Sequence, residues 1–110
     1  MATIEDFMSL DMRIFTVIQA EELPKAKVPA IKMKIDFGEV MGIKQSSAQI
    51  TKRYSPADIV GKQVVAIVNF PPRRVAGFKS EVLIIGGVPT DGDVILLTPD
   101  QEIPNGTKIS

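Results

Sequence analysis

The sequence predicts an all-β fold, and three observations lead to that class. Short segments rich in β-branched and aromatic residues recur along the chain, and each ends at glycine, proline or polar turn residues. One of them, residues 31–37, alternates apolar and charged residues, which is typical of a strand with one buried face. One helical turn is predicted between the third and fourth strands. Five or six strands with a helix in that position are the element order of an OB-type barrel.

Composition limits both the size of the fold and its chemistry. A chain of 110 residues with 45% hydrophobic residues can bury a core as one domain, which we place at residues 1–110. The sequence contains no cysteine and no histidine. Since these supply the usual thiol nucleophiles, general bases and metal ligands, we expect no enzyme, no catalytic residues, no metal site and no cofactor.

Charge and hydropathy bear on the setting of the protein. The formal net charge is zero, which argues against generic affinity for nucleic acid. The cations nevertheless bunch at residues 25–34, 44–53 and 73–79, and this permits a basic face. No apolar run approaches the roughly 20 residues of a membrane-spanning helix. The acidic start also lacks the cations of a signal peptide, so we expect a cytoplasmic protein without membrane insertion.

The amino-terminal half predicts one short helix and three strands. Residues 3–10 form the helix, which Thr3 caps and which has Ile4, Phe7 and Met8 on one face. So short a helix must dock, either over an open end of the barrel or against a second subunit. Strands follow over residues 12–20 and 31–37, separated by a polar connector with two prolines.

Residues 43–51 have the length of a strand but carry amides and hydroxyls in place of an apolar face. One interpretation is a solvated edge strand that other sheet edges cannot pair with. The other, which we favour, is a polar strip that lines a groove.

The carboxy-terminal half centres on two apolar runs. Residues 55–61 predict one helical turn, with Ser55 as cap and Pro56 at the first helical position. The runs at residues 64–68 and 82–85 predict strands buried on both faces. Turns over residues 86–93, a last short strand at residues 94–97 and a tail from Pro99 complete the chain.

The connector between the two apolar runs concentrates groups that bind ligands. A proline pair, Pro71-Pro72, stiffens its backbone and lowers the entropy lost on binding. Arginine forks in this connector suit phosphate or carboxylate, and Phe70 and Phe78 could stack on bases or contact apolar side chains. Asn69 at the end of a buried strand is expected to stabilise a turn.

Several segments resemble one known family. They are similar to the tRNA-binding domain that is appended to some methionyl- and phenylalanyl-tRNA synthetases, through residues 13–14, 23–26, 33–38, 54–56, 60–62, 69–73 and 77–81. Within that family, the chain is most similar to the CsaA-type, export-related chaperones, through residues 44–51, 77–83 and 99–106. The resemblance covers nearly the whole chain.

The resemblance implies a five-stranded OB-fold barrel with a short N-terminal helix and a C-terminal extension used in dimerisation. It implies a homodimer that binds unfolded or precursor proteins, with export machinery as a further partner. The alternative is a protein that binds tRNA in the same groove, and a third hypothesis is an accessory subunit that docks to one protein partner. The tRNA-binding form usually has Ser-Glu-Gly-Met where this chain has Ser80-Glu81-Val82-Leu83, and the apolar pair favours peptide.

The predicted binding residues fall on the second and third strands and on the connector. We expect apolar side chains to contact a peptide, amides and hydroxyls of the polar strip to bond its backbone, and cations of the connector to select its charge. In the tRNA alternative, the same cations and Ser80 contact phosphates and Phe78 lies under a base. The full predicted set is Met33, Phe37, Lys44, Gln45, Ser47, Gln49, Phe70, Arg73, Arg74, Phe78, Lys79, Ser80 and Glu81.

Overall fold

The computed structural model describes residues 1–23, 27–90, 92 and 94–110. Two segments from the sequence analysis therefore lie partly outside the described residues: residues 23–26, which resemble the family, and the turn predicted before the last strand. The elements in chain order are α1 (Ile4–Met8), β1 (Met12–Glu22), β2 (Ile31–Asp36), β3 (Ile43–Ala48), α2 (Pro56–Ile59), β4 (Gln63–Ile67), β5 (Arg73–Val75), β6 (Phe78–Ser80), β7 (Leu83–Ile84), β8 (Gly86–Gly87) and β9 (Ile95–Leu96).

The principal sheet is antiparallel and has the strand order β3-β2-β1-β4-β7. Strand β1 pairs with β4 along its first half and with β2 along its second half. The β1–β2 register shifts between Val17 and Gln19, and such a bulge bends a strand. The sheet therefore curves until β3 and β7 approach each other. The prediction of a mostly β, five-stranded barrel with a short N-terminal helix is confirmed.

The barrel interior is filled from alternate positions of the strands. Phe15 and Phe37 are buried, and their ring centroids lie 4.9 Å apart at a tilted angle of 51°. The apolar positions of β2 and two residues of β4, Val64 and Ala66, pack into the same cluster. The alternation read in residues 31–37 thus marks the core face of β2, as predicted.

A second apolar cluster lies on the outside of the β1–β4 pair. It contains Met12 and Ile14 of β1 with Val65 and Ile67 of β4. Helix α1, the segment after β7 and the C-terminal segment supply the partly buried residues that cover it, Phe7, Leu10, Ile85, Ile103 and Ile109. Strand β4 is therefore buried on both faces, as its continuous apolar run predicted.

Helix α1 docks through Phe7, while the other two residues of its apolar face stay exposed. Thr3 caps it, because its Oγ1 accepts from the Asp6 N–H at 3.2 Å. Phe7 packs against the second cluster, whereas Ile4 and Met8 are 66% and 68% exposed. The helix is tied down beyond its end by Asn69, whose side chain accepts from Asp11 N–H at 2.9 Å and donates to the Ser9 carbonyl at 2.8 Å. Asn69 is thus a structural amide, as predicted.

The C-terminal segment runs along the first half of β1. The Ile14 N–H donates to the Thr107 carbonyl at 3.0 Å, and the Ile109 N–H donates to the Met12 carbonyl at 2.8 Å. Gly106, directly before Thr107, has φ +89°, and a Cβ at this position would lie 2.5 Å from the Phe37 carbonyl oxygen. Glycine is required here because both the backbone conformation and the close approach exclude a side chain.

Helix α2 has the predicted cap. The Asp58 carboxylate accepts from the Ser55 N–H at 2.8 Å and from the Ser55 hydroxyl at 2.9 Å. These hydrogen bonds hold the pKa of the Asp58 carboxyl below its ordinary value. Neither helix of the described residues is long or apolar enough to cross a membrane.

The prediction that the second apolar run is buried on both faces is wrong. Of residues 82–85, Val82 is buried, but Leu83 is 41% exposed and the strand is two residues long. This run borders a groove, so one of its faces is open. The connector between the two apolar runs contains a hairpin, because β5 and β6 pair around Ala76 and Gly77.

Candidate functional site

The barrel closes through a short set of hydrogen bonds between β3 and the segment before β7. The Glu81 N–H donates to the Gln45 carbonyl at 2.8 Å, and the Gln45 N–H donates to the Glu81 carboxylate at 3.2 Å. Ser46 is fully buried, and its hydroxyl donates to the Val82 carbonyl at 2.6 Å. Ser80 adds its hydroxyl, which accepts from the Ser47 N–H at 3.2 Å. These contacts fix one end of the β3–β7 junction.

At the other end of the same junction the barrel is open. A groove of about 540 Å³ lies there, which we call the seam groove. One wall is formed by residues 47–50 at the end of β3, and the opposite wall by residues 80–84. Phe70, Pro71, Arg73 and Val75 line it from the hairpin side, and Ala30, Val94 and Leu96 complete the lining.

The seam groove combines apolar surface with one cation. Phe70 and Leu83 are each 41% exposed, so the groove presents two large apolar side chains to solvent. The charged side chains among the described groove residues are Arg73 and Glu81. The groove therefore offers a ligand one cation, Arg73, and one anion, Glu81, whose carboxylate also accepts a hydrogen bond from the Gln45 N–H.

The β5–β6 hairpin divides the predicted cations between two faces. Its turn residues, Ala76 and Gly77, have φ of 51° and 81°, which suits a two-residue hairpin connection. Side chains on one face line cavities of the barrel, whereas Arg74 and Lys79 pair across the strands on the opposite, exposed face. Arg73 and Arg74 therefore lie on opposite faces of the hairpin.

A second, smaller cavity of about 170 Å³ lies between Phe78 of the hairpin and strands β1 and β2. Phe78 and Gln45 line it together with the β2 cations, Lys32 and Lys34. The Lys32 ammonium lies 5.8 Å from the Phe78 ring centroid and 2.9 Å from the Glu21 carboxylate. This lysine is thus held by an ion pair and a cation–π contact within the protein itself.

The structure separates the predicted binding residues into distinct groups. Six of them line the seam groove: Ser47, Gln49, Phe70, Arg73, Ser80 and Glu81. Gln45 and Phe78 line the smaller cavity, while Lys44, Arg74 and Lys79 line neither. The polar strip is both an edge strand and a groove wall, so the two interpretations of residues 43–51 are compatible.

Met33 and Phe37 are wrongly predicted as exposed contacts. Met33 is 3% exposed and Phe37 is 1% exposed, and both belong to the barrel core. The physical reason is the period of two along β2, which turns every alternate apolar residue inward. Met33 borders the smaller cavity, but its side chain packs in the barrel core.

Two predicted hydrogen-bonding groups are engaged within the fold. The Gln45 side-chain amide donates to the Lys79 carbonyl at 2.8 Å, and the Ser80 hydroxyl lies 3.2 Å from the Ser46 hydroxyl. These side chains hold the hairpin against β3. They shape the seam groove by fixing where the hairpin diverges from the barrel.

The sequence-based prediction missed most of the apolar residues that line the groove, among them four from the strands near the chain end. Ile84 and Leu83 come from a run that was interpreted as a buried strand, and Val94 and Leu96 come from the last strand. Tyr54 helps to place this strand, because its hydroxyl accepts from the Leu96 N–H at 3.1 Å. A run of apolar residues carries no signal that tells an open face from a buried one.

Comparison with known proteins gives the family. The model of the family described as "Putative tRNA binding domain" matches residues 12–108. The chain is 37% identical over 105 residues to the methionine–tRNA ligase of Porphyromonas gingivalis, a match that covers 96% of this chain and 15% of the ligase. The chain thus spans about 15% of the length of this curated relative.

Solved structures of similar proteins agree with this result. A crystal structure of the chaperone CsaA from Bacillus anthracis is 68% identical, with a TM-score of 0.94, and the match covers 100% of this chain and 99% of that one. A crystal structure of the CsaA chaperone protein from Picrophilus torridus is 44% identical, with a TM-score of 0.92 and complete coverage of both chains, 100% and 100%.

These matches are to a family of binding domains and not to a catalytic family. They agree with the five-stranded barrel and the short N-terminal helix. The chain belongs to the tRNA-binding domain family and is of the CsaA type.

Proposed function

We propose that this chain is a homodimeric chaperone, each subunit a single domain of residues 1–110, that holds unfolded or precursor segments of other proteins in the seam groove. The observation that carries the proposal is the groove itself, where exposed Phe70 and Leu83 flank a wall of main chain and polar side chains beside Arg73. Similarity to two CsaA chaperones supports it. The setting we propose is the cytoplasm, with the export machinery as a further partner.

The chemistry of the groove suits an unfolded segment better than a folded surface. An unfolded segment exposes apolar side chains that folded proteins bury, and these can pack on Phe70 and Leu83. Binding must also order a flexible client, which lowers the affinity per unit of buried area. We therefore expect weak and reversible binding, as a chaperone requires in order to release its client.

The experiment that tests this function compares two forms of one client. A permanently unfolded, carboxymethylated protein and its native, disulfide-bonded form are titrated with this chain by fluorescence anisotropy. We expect saturable binding of the unfolded form and none of the native form at the same concentrations. Equal binding of both forms, or of neither, would contradict the proposal.

The second candidate function is tRNA binding, and the exposed hairpin face favours it. Arg74 and Lys79 lie side by side there, and the family carries tRNA binding in its description.

Phosphate contacts of this kind make affinity depend steeply on salt. In a gel-shift titration, Arg74→Ala/Lys79→Ala should flatten the salt dependence of any tRNA complex, and the absence of a shift at low salt would exclude this function.

We propose that the homodimer forms through α1 and the C-terminal segment. Ile4 and Met8 form an exposed apolar pair beside the second cluster, to which the C-terminal segment also contributes. Burial of large apolar side chains is the main driving force for such an interface.

We expect sedimentation equilibrium to give a dimer for the wild type and a monomer for Ile4→Asp/Met8→Asp. Val40→Asp is the matched control, because Val40 is 99% exposed in the loop between β2 and β3. A wild type that sediments as a monomer at tens of micromolar would rule out the dimer, as would a double variant that sediments like the wild type.

A further inference from the structure

The edge of β3 has main-chain groups that reach into the seam groove. Both main-chain groups of Gln45 are used on the hairpin side, since its carbonyl accepts from Glu81 at 2.8 Å and its N–H donates to Glu81 at 3.2 Å. In an antiparallel sheet, the residue two positions further along faces the same neighbour. The Ser47 N–H obeys this rule, because it donates to the Ser80 hydroxyl at 3.2 Å.

Beyond Ser47 the hairpin no longer covers this edge. By the same alternation, the Ser47 carbonyl is directed away from β2 and toward the groove. Gln49 lies just past the end of β3 and also lines the groove. Within the described ranges, the main chain of Gln49 makes no hydrogen bond. An exposed strand edge of this kind is a template for another extended chain.

We propose that the client segment binds as an added strand on this free edge of β3, so that recognition rests on main-chain hydrogen bonds at Ser47 and Gln49. This inference rests on the proposed function, and it specifies how the same groove selects its client. Side chains on one face of the added strand then pack against the apolar wall at Phe70 and Leu83, while the other face points to solvent.

The charges of the groove favour an extended polypeptide over RNA as the occupant. Arg73 is a cation at the mouth of the groove, and it complements a single acidic side chain of a peptide. An RNA strand would bring a phosphate with every nucleotide close to Glu81 and to an apolar wall. The preferred client therefore has alternating apolar residues, one acidic residue and no proline in the paired positions.

The test uses the full chain and three versions of one probe. The probe is a fluorescein-labelled peptide of about eight residues that alternates valine and threonine and carries one central glutamate. The second version is N-methylated at the odd positions and the third at the even positions. The alternating pattern fixes the register, because a slip by one residue would turn every valine to the wrong face.

We expect the unmodified peptide to bind and one methylated version to bind about tenfold more weakly, the effect of losing two backbone hydrogen bonds. The other methylated version should bind within about threefold of the parent, since its altered groups face away from β3. Equal affinity for all three peptides, or equal loss in both methylated versions, would overturn the inference.

Failure of the inference can be told apart from failure of the proposed function. If all three peptides bind with equal affinity, only the added-strand inference is overturned. If none of the peptides binds, the proposed chaperone function is contradicted as well. A single-stranded oligoribonucleotide serves as competitor. If it displaces the labelled peptide while excess unlabelled peptide does not, the groove belongs to RNA and the inference is wrong.

Discussion

Replacement of Phe37 by alanine is expected to lower the free energy of unfolding by about 3–5 kcal/mol. Phe37 is 1% exposed, and its ring packs against Phe15 at a centroid distance of 4.9 Å. Removal of the ring loses the free energy gained by burying it and leaves a cavity in the core, and both effects destabilise the fold. Chemical denaturation followed by circular dichroism measures the change directly.

The matched control for this experiment is Phe70→Ala. Phe70 is 41% exposed and lines the seam groove, so its truncation should change the free energy of unfolding by less than about 1 kcal/mol. Comparison of the two variants distinguishes a core phenylalanine from a groove phenylalanine, although the sequence analysis placed both in the predicted binding set. If Phe37→Ala kept the wild-type denaturation midpoint, the assignment of Phe37 to the core would be wrong.

The double variant Phe70→Ala/Arg73→Ala is expected to weaken peptide binding by about tenfold or more, which corresponds to at least about 1.4 kcal/mol. It removes the exposed ring and the cation that line the seam groove on the hairpin side. Aromatic and arginine side chains of this kind carry a large share of the energy of protein interfaces. Fluorescence anisotropy with a labelled, unfolded segment measures the loss.

Arg74→Ala/Lys79→Ala is the control for this double variant. Both cations lie on the exposed face of the hairpin, outside the two cavities. This variant removes two charges, one more than Phe70→Ala/Arg73→Ala, and yet we expect less than about a threefold change in peptide affinity, because exposed charges contribute little. The opposite ranking of the two variants would move the peptide site to the outer face of the hairpin.

Much of the fold could be predicted because local patterns agree with the tertiary structure. The alternation in residues 31–37 marks the core face of β2, and the continuous run in β4 marks a strand buried on both sides. The cap residues at Ser55 and Asp58 mark α2. Such signals are local, so they can be recognised in the sequence without knowing what packs against each element.

The candidate site was harder to predict because it depends on where strands diverge. Arg73 and Arg74 are adjacent in β5, and successive side chains of a strand point to opposite faces, so the two arginines separate once this segment forms a strand. Ala76 has a positive φ, which its side chain does not reveal. Leu96 reaches the groove through long-range packing, for which the sequence holds no local signal.

The central claim is that the open end of the barrel junction, and not the cationic hairpin face, holds the client. A chemical-shift map of the isotopically labelled protein during titration with an unfolded segment tests it most directly. We predict that the largest amide shifts fall at residues 47–50, Phe70, residues 73–75 and residues 83–84, with small changes at Lys34 and Lys79. Shifts centred on Lys34, Phe78 and Lys79, with residues 47–50 unchanged, would contradict the account.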